Sequence, residues 1–144
     1  MGFFDKLFGS KQKPSRTNTL RRNALNLQLN DIVTYDLEDY IVVGKIVYEA
    51  SGYEWTAYNL KGDYRSIWLS AEMDDQLELG VYEKVRTKLP ESLKETLDYE
   101  GKTYYLEERG KARIKAAEGQ AGARSGQQIA YWEYESDDET VLSI

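Results

Sequence analysis

Two stretches of the chain share one plan, and that plan limits the possible folds more than any other feature. Tyr53-Glu54-Trp55-Thr56-Ala57-Tyr58 is followed, after a polar turn, by Ser66-Ile67-Trp68-Leu69-Ser70. Near the C-terminus, Tyr131-Trp132-Glu133-Tyr134 is followed, after the acidic turn Ser136-Asp137-Asp138-Glu139, by Thr140-Val141-Leu142-Ser143. Each copy is an aromatic-rich run, a turn and a second run ending in Leu-Ser, which is the grammar of a β-hairpin. A doubled aromatic hairpin predicts an all-β, mainly antiparallel domain made of two similar meander halves. The halves are expected over residues 23–86 and 101–144, forming one barrel-like or sandwich body over 23–144.

The periodicity between these landmarks is that of short strands. Leu25, Leu27 and Leu29 alternate with polar residues, and Ile32-Val33-Thr34-Tyr35 is rich in β-formers. Residues 40–48 are the most β-prone run, and Gly44 inside it predicts a bulge. Further strands are expected over 53–60, 64–71, 77–85, 103–107, 112–117, 127–134 and 140–144. Residues 90–97 carry the one helical signal of the body, with Pro90 in the first turn and Leu93 and Leu97 four apart. The small-residue stretch 118–126 reads as a mobile hairpin loop without the order of a phosphate-binding loop.

Residues 1–9 are expected to form an amphipathic helix, because Phe3, Phe4, Leu7 and Phe8 fall within an arc of roughly 140° at helical spacing. Residues 10–22 read as a basic, flexible linker. Residues 1–22 hold six basic side chains against the single acid Asp5, whereas the remainder holds 13 basic and 24 acidic ones. A basic arm of net charge +5 therefore precedes a body of net charge −11. Phe3, Phe4, Leu7 and Phe8 with Lys6, Lys11 and Lys13 form a candidate contact with a membrane surface or a partner protein.

The chain has no Cys and no His. That removes disulfides, thiolate nucleophiles, the usual neutral-pH general base and the commonest transition-metal ligand. No metal site and no cofactor are expected. An acidic body repels phosphate backbones, so no nucleic-acid partner is expected either. No apolar run approaches the ~20 residues that span a bilayer, and Asp5 and Lys6 interrupt any signal-peptide core. The expected location is cytoplasmic, peripheral on the inner face of the membrane.

Twelve tyrosines and three tryptophans leave two readings of the aromatic set. The rings either fill the core and rim of a small β domain or line a face that stacks cations, aromatics or a peptide. Tyr53, Tyr58, Tyr131 and Glu133 are the candidate binding residues. Alternation puts Tyr131 and Glu133 on one face of their strand and Trp132 and Tyr134 on the other. The acids Glu72/Asp74/Asp75 and Glu135/Asp137/Asp138/Glu139 lack the spacing of a calcium loop and read as solvated turns.

Over residues 25–144 the chain resembles the bacterial domain-of-unknown-function family four-one-seven-eight. The resemblance rests on Leu27-Gln28-Leu29-Asn30-Asp31, Tyr40-Ile41-Val42-Val43-Gly44, Trp55-Thr56-Ala57-Tyr58 and Trp68-Leu69-Ser70. Gly101-Lys102-Thr103-Tyr104-Tyr105 and Leu142-Ser143-Ile144 look like the same family. Asn30 stands where that pattern has Gly, and Ala57 where it has Glu. The resemblance implies a small all-β fold and no catalytic residues. The expected function is a non-enzymatic interaction module whose acidic, Tyr-rich surface binds an unidentified protein partner or a small cation. The alternative is a polyamine- or divalent-cation-binding protein, or a carboxylate-based enzyme. That alternative requires several of Glu54, Asp63, Glu72, Asp74 and Glu133 to converge in one pocket.

Overall fold

The structure, a computed structural model, describes residues 7–12 and 24–144. The strands are β1 (Leu7–Gln12), β2 (Ile32–Tyr35), β3 (Glu38–Ala50), β4 (Tyr53–Lys61), β5 (Ser66–Met73), β6 (Leu77–Lys84), β7 (Thr96–Tyr99), β8 (Lys102–Gly119), β9 (Gln128–Ser136) and β10 (Thr140–Ser143). All pairings are antiparallel, and the fold is all-β. Within residues 24–144 the nine strands make an open sheet running β6-β5-β4-β3-β8-β9-β10, with β2 beside the start of β3 and β7 beside the start of β8. The backbone of β1 pairs with both ends of that sheet, β6 and β10.

Bulges in the two longest strands decide which side chains face inward. On β3, Tyr40 and Val42 belong to one apolar cluster, whereas Ile46 and Tyr48, at the same parity, belong to another. The register shift between Val42 and Gly44 makes the swap. Gly44 is needed there because a Cβ would lie 2.3 Å from the carbonyl oxygen of Gln120. On β8 the shift between Leu106 and Glu108 does the same, leaving Tyr104 and Leu106 outside and turning Ala112 and Ile114 inside.

Three apolar clusters result. The inner one joins Ile46, Tyr48, Ala57, Trp68, Tyr82, Ala112, Ile114, Ile129 and Val141. Those residues come from strands at opposite ends of the sheet order, so the sheet coils around them. The outer face of β3–β6 buries Tyr40, Val42, Tyr58, Leu60, Ile67, Leu69 and Ala71, with Leu27 laid across them. The outer face of β8–β10 buries Tyr104, Tyr134, Leu142 and Ile144, covered by Leu89, Leu93 and Leu97.

Several expectations are corrected. Leu7–Gln12 is a strand, not the end of a helix: two sheet edges satisfy its backbone, where so short a helix would depend on packing for stability. Phe3, Phe4, Lys6 and Lys13 lie outside the described residues. Residues 24–29 form a turn and coil rather than a strand. Asn30 N–H donates to Val42 O at 2.8 Å and Val42 N–H to Asp31 O at 2.9 Å, so β3's edge is already occupied there. Asn30 has φ 73, a conformation glycine favours and Asn tolerates, which accounts for a Gly-to-Asn departure at that position.

Residues 90–97 form no helix either. Their backbone is recruited by the sheet: Leu106 N–H donates to Glu95 O at 2.7 Å, and the Tyr134 hydroxyl to Lys94 O at 2.7 Å. Residues 103–117 are one strand instead of two. The stretch 118–126 is anchored at its start, with Ala121 buried, Gln120 N–H donating to Val43 O and Asn59 Nδ2 donating to Gln120 O.

Candidate functional site

The inner face is hollow because one row of it carries almost no side chains. Register sets Tyr48 opposite Trp55, and Trp55 opposite Glu72. One step along the strands, Ala57 lies opposite Ser70, and Ser70 opposite Gly80. A further step sets Trp68 opposite Tyr82. Large rings therefore bracket a row of Ala, Ser and Gly. The space is a cavity of about 540 Å³, a size typical of small-ligand pockets.

Two glycines let rings lie flat on the cavity wall. A Cβ on Gly80 would sit 2.5 Å from the Tyr82 ring, and one on Gly110 would sit 2.8 Å from the Tyr131 hydroxyl. Trp55 is the hub of the aromatic wall. It stacks on Tyr48 with centroids 5.4 Å apart, meets Tyr131 edge-on at 5.7 Å and lies 6.3 Å from Tyr53. Trp68, Tyr82 and Ile129 complete the apolar lining.

Four carboxylates line the same cavity: Glu72, Asp74, Glu108 and Glu133. None of the described lining residues is basic. The Tyr53 hydroxyl donates to Glu72 at 3.3 Å, and the Tyr131 hydroxyl to Glu108 at 3.2 Å. Partial burial, with the charges of Glu72 and Asp74 beside it, pushes the Tyr53 phenol up to about 12. Burial first, then Glu108, Glu133 and Glu72, raises Tyr131. Burial, then Glu133 and Glu72, raises Tyr82, so both carboxylates act on the same buried ring. At neutral pH these phenols are protonated donors, and the electrostatic character of the cavity is set by its carboxylates.

Of the four candidate binding residues, Tyr53, Tyr131 and Glu133 line this cavity, whereas Tyr58 lies on the opposite face of β4, fully buried in the outer cluster. Of the five acids on which the cation reading depends, Glu72, Asp74 and Glu133 converge here. Glu54 instead pairs with Lys115 at 2.7 Å, and Asp63 sits in the β4–β5 turn. Glu108 was not expected; only the bulge of β8 turns it inward, and sequence alternation carries no sign of that. Tyr82, Ser70 and Gly80 were legible only through cross-strand register. Among the described residues no three carboxylates approach closely enough to hold one metal ion.

No curated protein and no solved structure matches the chain. The model of the family described as Domain of unknown function (DUF4178) matches residues 28–144, and the chain belongs to that family.

Proposed function

We propose that the cavity binds a small organic cation and that the chain is a non-enzymatic binding module. One observation carries the reading: an aromatic-walled cavity of about 540 Å³ is lined by four carboxylates and by no basic described residue. Aromatic faces and carboxylates both attract cations, and in a partly dehydrated cavity each attraction is stronger than in water. A bare divalent ion fits less well, because it needs several oxygens converging at about 2.0–2.6 Å. The raised tyrosines stay protonated at neutral pH and hydrogen-bond the carboxylates, which holds the acids in place for a cation. In this reading the strands form a barrel-like body, with β1 supplying the wall between β6 and β10.

Of the two ligands expected for the module, a cation is favoured over a protein partner by Trp55, Trp68 and Tyr131 turning into the cavity. With Leu7–Gln12 held in the sheet, a membrane-surface helix would also lack its last turn.

The test is a thermal-shift titration with n-hexylamine against n-hexanol, which share an apolar body and differ in charge. The amine should raise the melting temperature in a concentration-dependent way and the alcohol should not. Ser70→Leu, which fills the empty row, should abolish the shift. Equal responses to amine and alcohol, or an unaltered response in Ser70→Leu, would remove the reading.

A further inference from the structure

We infer that the cavity selects a cation with two N–H-bearing ammonium heads joined by an aliphatic spacer, a linear diammonium or longer polyammonium. The inference rests on the cavity reading and narrows it. Its first support is that the carboxylates lie on two sides of one ring. On one side of Trp55 stands Tyr53, hydrogen-bonded to Glu72, with Asp74 just beyond in the turn. On the other stands Tyr131, hydrogen-bonded to Glu108, and Glu108 lies opposite Glu133 in the ladder. Acid, phenol, indole, phenol, acid is thus the order across the cavity wall. A ligand matching it has charge at both ends and an apolar middle over Trp55.

Charge balance points the same way. One ammonium among four carboxylates would leave a strongly negative, partly enclosed cluster, whereas two or more heads neutralise most of it. The chemistry of the groups selects the type of head. Carboxylate oxygens accept N–H bonds, and a charge-assisted bond of this kind is stronger than a neutral one. A quaternary ammonium has no N–H to give. The indole is also unsuited to a tight aromatic cage, because Tyr48 already stacks on it with an interplanar angle of 16°.

Calorimetric titration of the full chain with α,ω-diaminoalkanes from propane to octane, the matching monoamines and the bis-trimethylammonium alkanes tests the inference. The best diamine should bind at least ~10-fold more tightly than the monoamine of equal length, the order expected from one added charge-assisted bond. Affinity should pass through a maximum with spacer length, and bis-quaternary analogues should bind at least ~10-fold more weakly than that diamine. Glu72→Gln and Glu133→Gln should each bring the affinity for the diamine close to that for the monoamine measured on the same variant. Equal affinities for monoamine and diamine would overturn the two-headed ligand and leave the cation reading standing. So would a steady rise with chain length, or equal binding of the quaternary series. Absence of binding by every amine would remove both.

Discussion

The β4–β5 hairpin and the β9–β10 hairpin are built to the same register and filled differently. In the first, Tyr58 lies opposite Leu69 on the outer face, and Ala57 opposite Ser70 on the inner. In the second, Tyr134 lies opposite Leu142 outside, and Glu133 opposite Ser143 inside. The correspondence extends outward. β2 and β3 are joined by the two-residue turn Asp36-Leu37, and β7 and β8 by Glu100-Gly101, all four residues having positive φ. Thr34 bonds Asp39 across one hairpin as Thr103 bonds Asp98 across the other. β3 pairs with β8, its counterpart, and β1 stands to β10 as β6 stands to β5. What differs is the inner row: the first hairpin supplies Trp55, Ala57 and Trp68, and the second Tyr131, Glu133 and Val141. The frame repeats, its contents do not, and both halves add carboxylates to the cavity, Glu72 and Asp74 from the first and Glu108 and Glu133 from the second.

The comparison is tested most severely by removing β1, the strand that gives β10 the neighbour β5 has in β6. A chain starting at Ala24 would leave β6 and β10 as two facing unpaired edges. Its melting temperature should fall by ~10 °C or more, each kcal/mol lost being worth several degrees in a domain of this size. Size-exclusion chromatography should show concentration-dependent association through the bared edges. An unchanged, monomeric melt would show that β1 is not the equivalent of β6.

Making the inner rows alike is the next test. Ala57 is 2 % exposed and lines the cavity, so Ala57→Glu crowds a partly desolvated carboxylate against the row and adds to the cavity's negative charge. A loss of ~3 kcal/mol or more in denaturant unfolding is expected, partly recovered by a bound amine. Glu133→Ala removes a like charge instead and should cost less than ~1 kcal/mol. A neutral Ala57→Glu would mean that the asymmetry of the rows has no energetic basis.

Much of this frame was legible in the residues. The doubled aromatic run predicted both hairpins, and Gly44 predicted the bulge in β3. Alternation placed Glu133 and Tyr134 on opposite faces, as the cavity and the outer cluster require. What alternation could not carry was the exchange of faces. Tyr40, Val42, Ile46 and Tyr48 look like one continuous buried stripe, yet the bulge divides it between two clusters. Tyr58 was named beside Tyr53 as a binding residue, yet the two stand five positions apart and so on opposite faces of β4, whose inner residues are 53, 55 and 57. The helical signal at residues 90–97 was local, and the edge of β8 and the Tyr134 hydroxyl captured the same backbone.

The two outer tyrosines separate the halves more gently. Tyr134 donates its hydroxyl proton to Lys94 O at 2.7 Å, tying the segment before β7 onto the sheet. Tyr134→Phe should lose ~1 kcal/mol, from the bond and the carbonyl it leaves behind. It should also increase amide exchange at Leu106, whose N–H bonds the neighbouring Glu95 carbonyl. The corresponding Tyr58→Phe should leave that exchange unaltered. Equal effects would place the tie elsewhere.

The smallest expected effect lies in the alkaline range and concerns the rim of the cavity. The Tyr53 phenol, raised to about 12 by partial burial and the charges of Glu72 and Asp74, stays neutral in the folded chain when an unfolded tyrosine has begun to ionise. A raised folded value makes its contribution complete below pH ~10 and lost as pH climbs through about 12. Because Tyr53 is 38 % exposed, solvent screens most of that contribution. Tyr53→Phe should therefore leave stability unchanged at neutral pH and only slightly flatten its decline between these values. Phenolate absorbance during the same titration should lose its contribution near pH 12. Loss of a component near pH 10 instead would mean that neither burial nor the charges of Glu72 and Asp74 act on this ring, and the acidic side nearest the β3–β4 turn would lose its electrostatic argument.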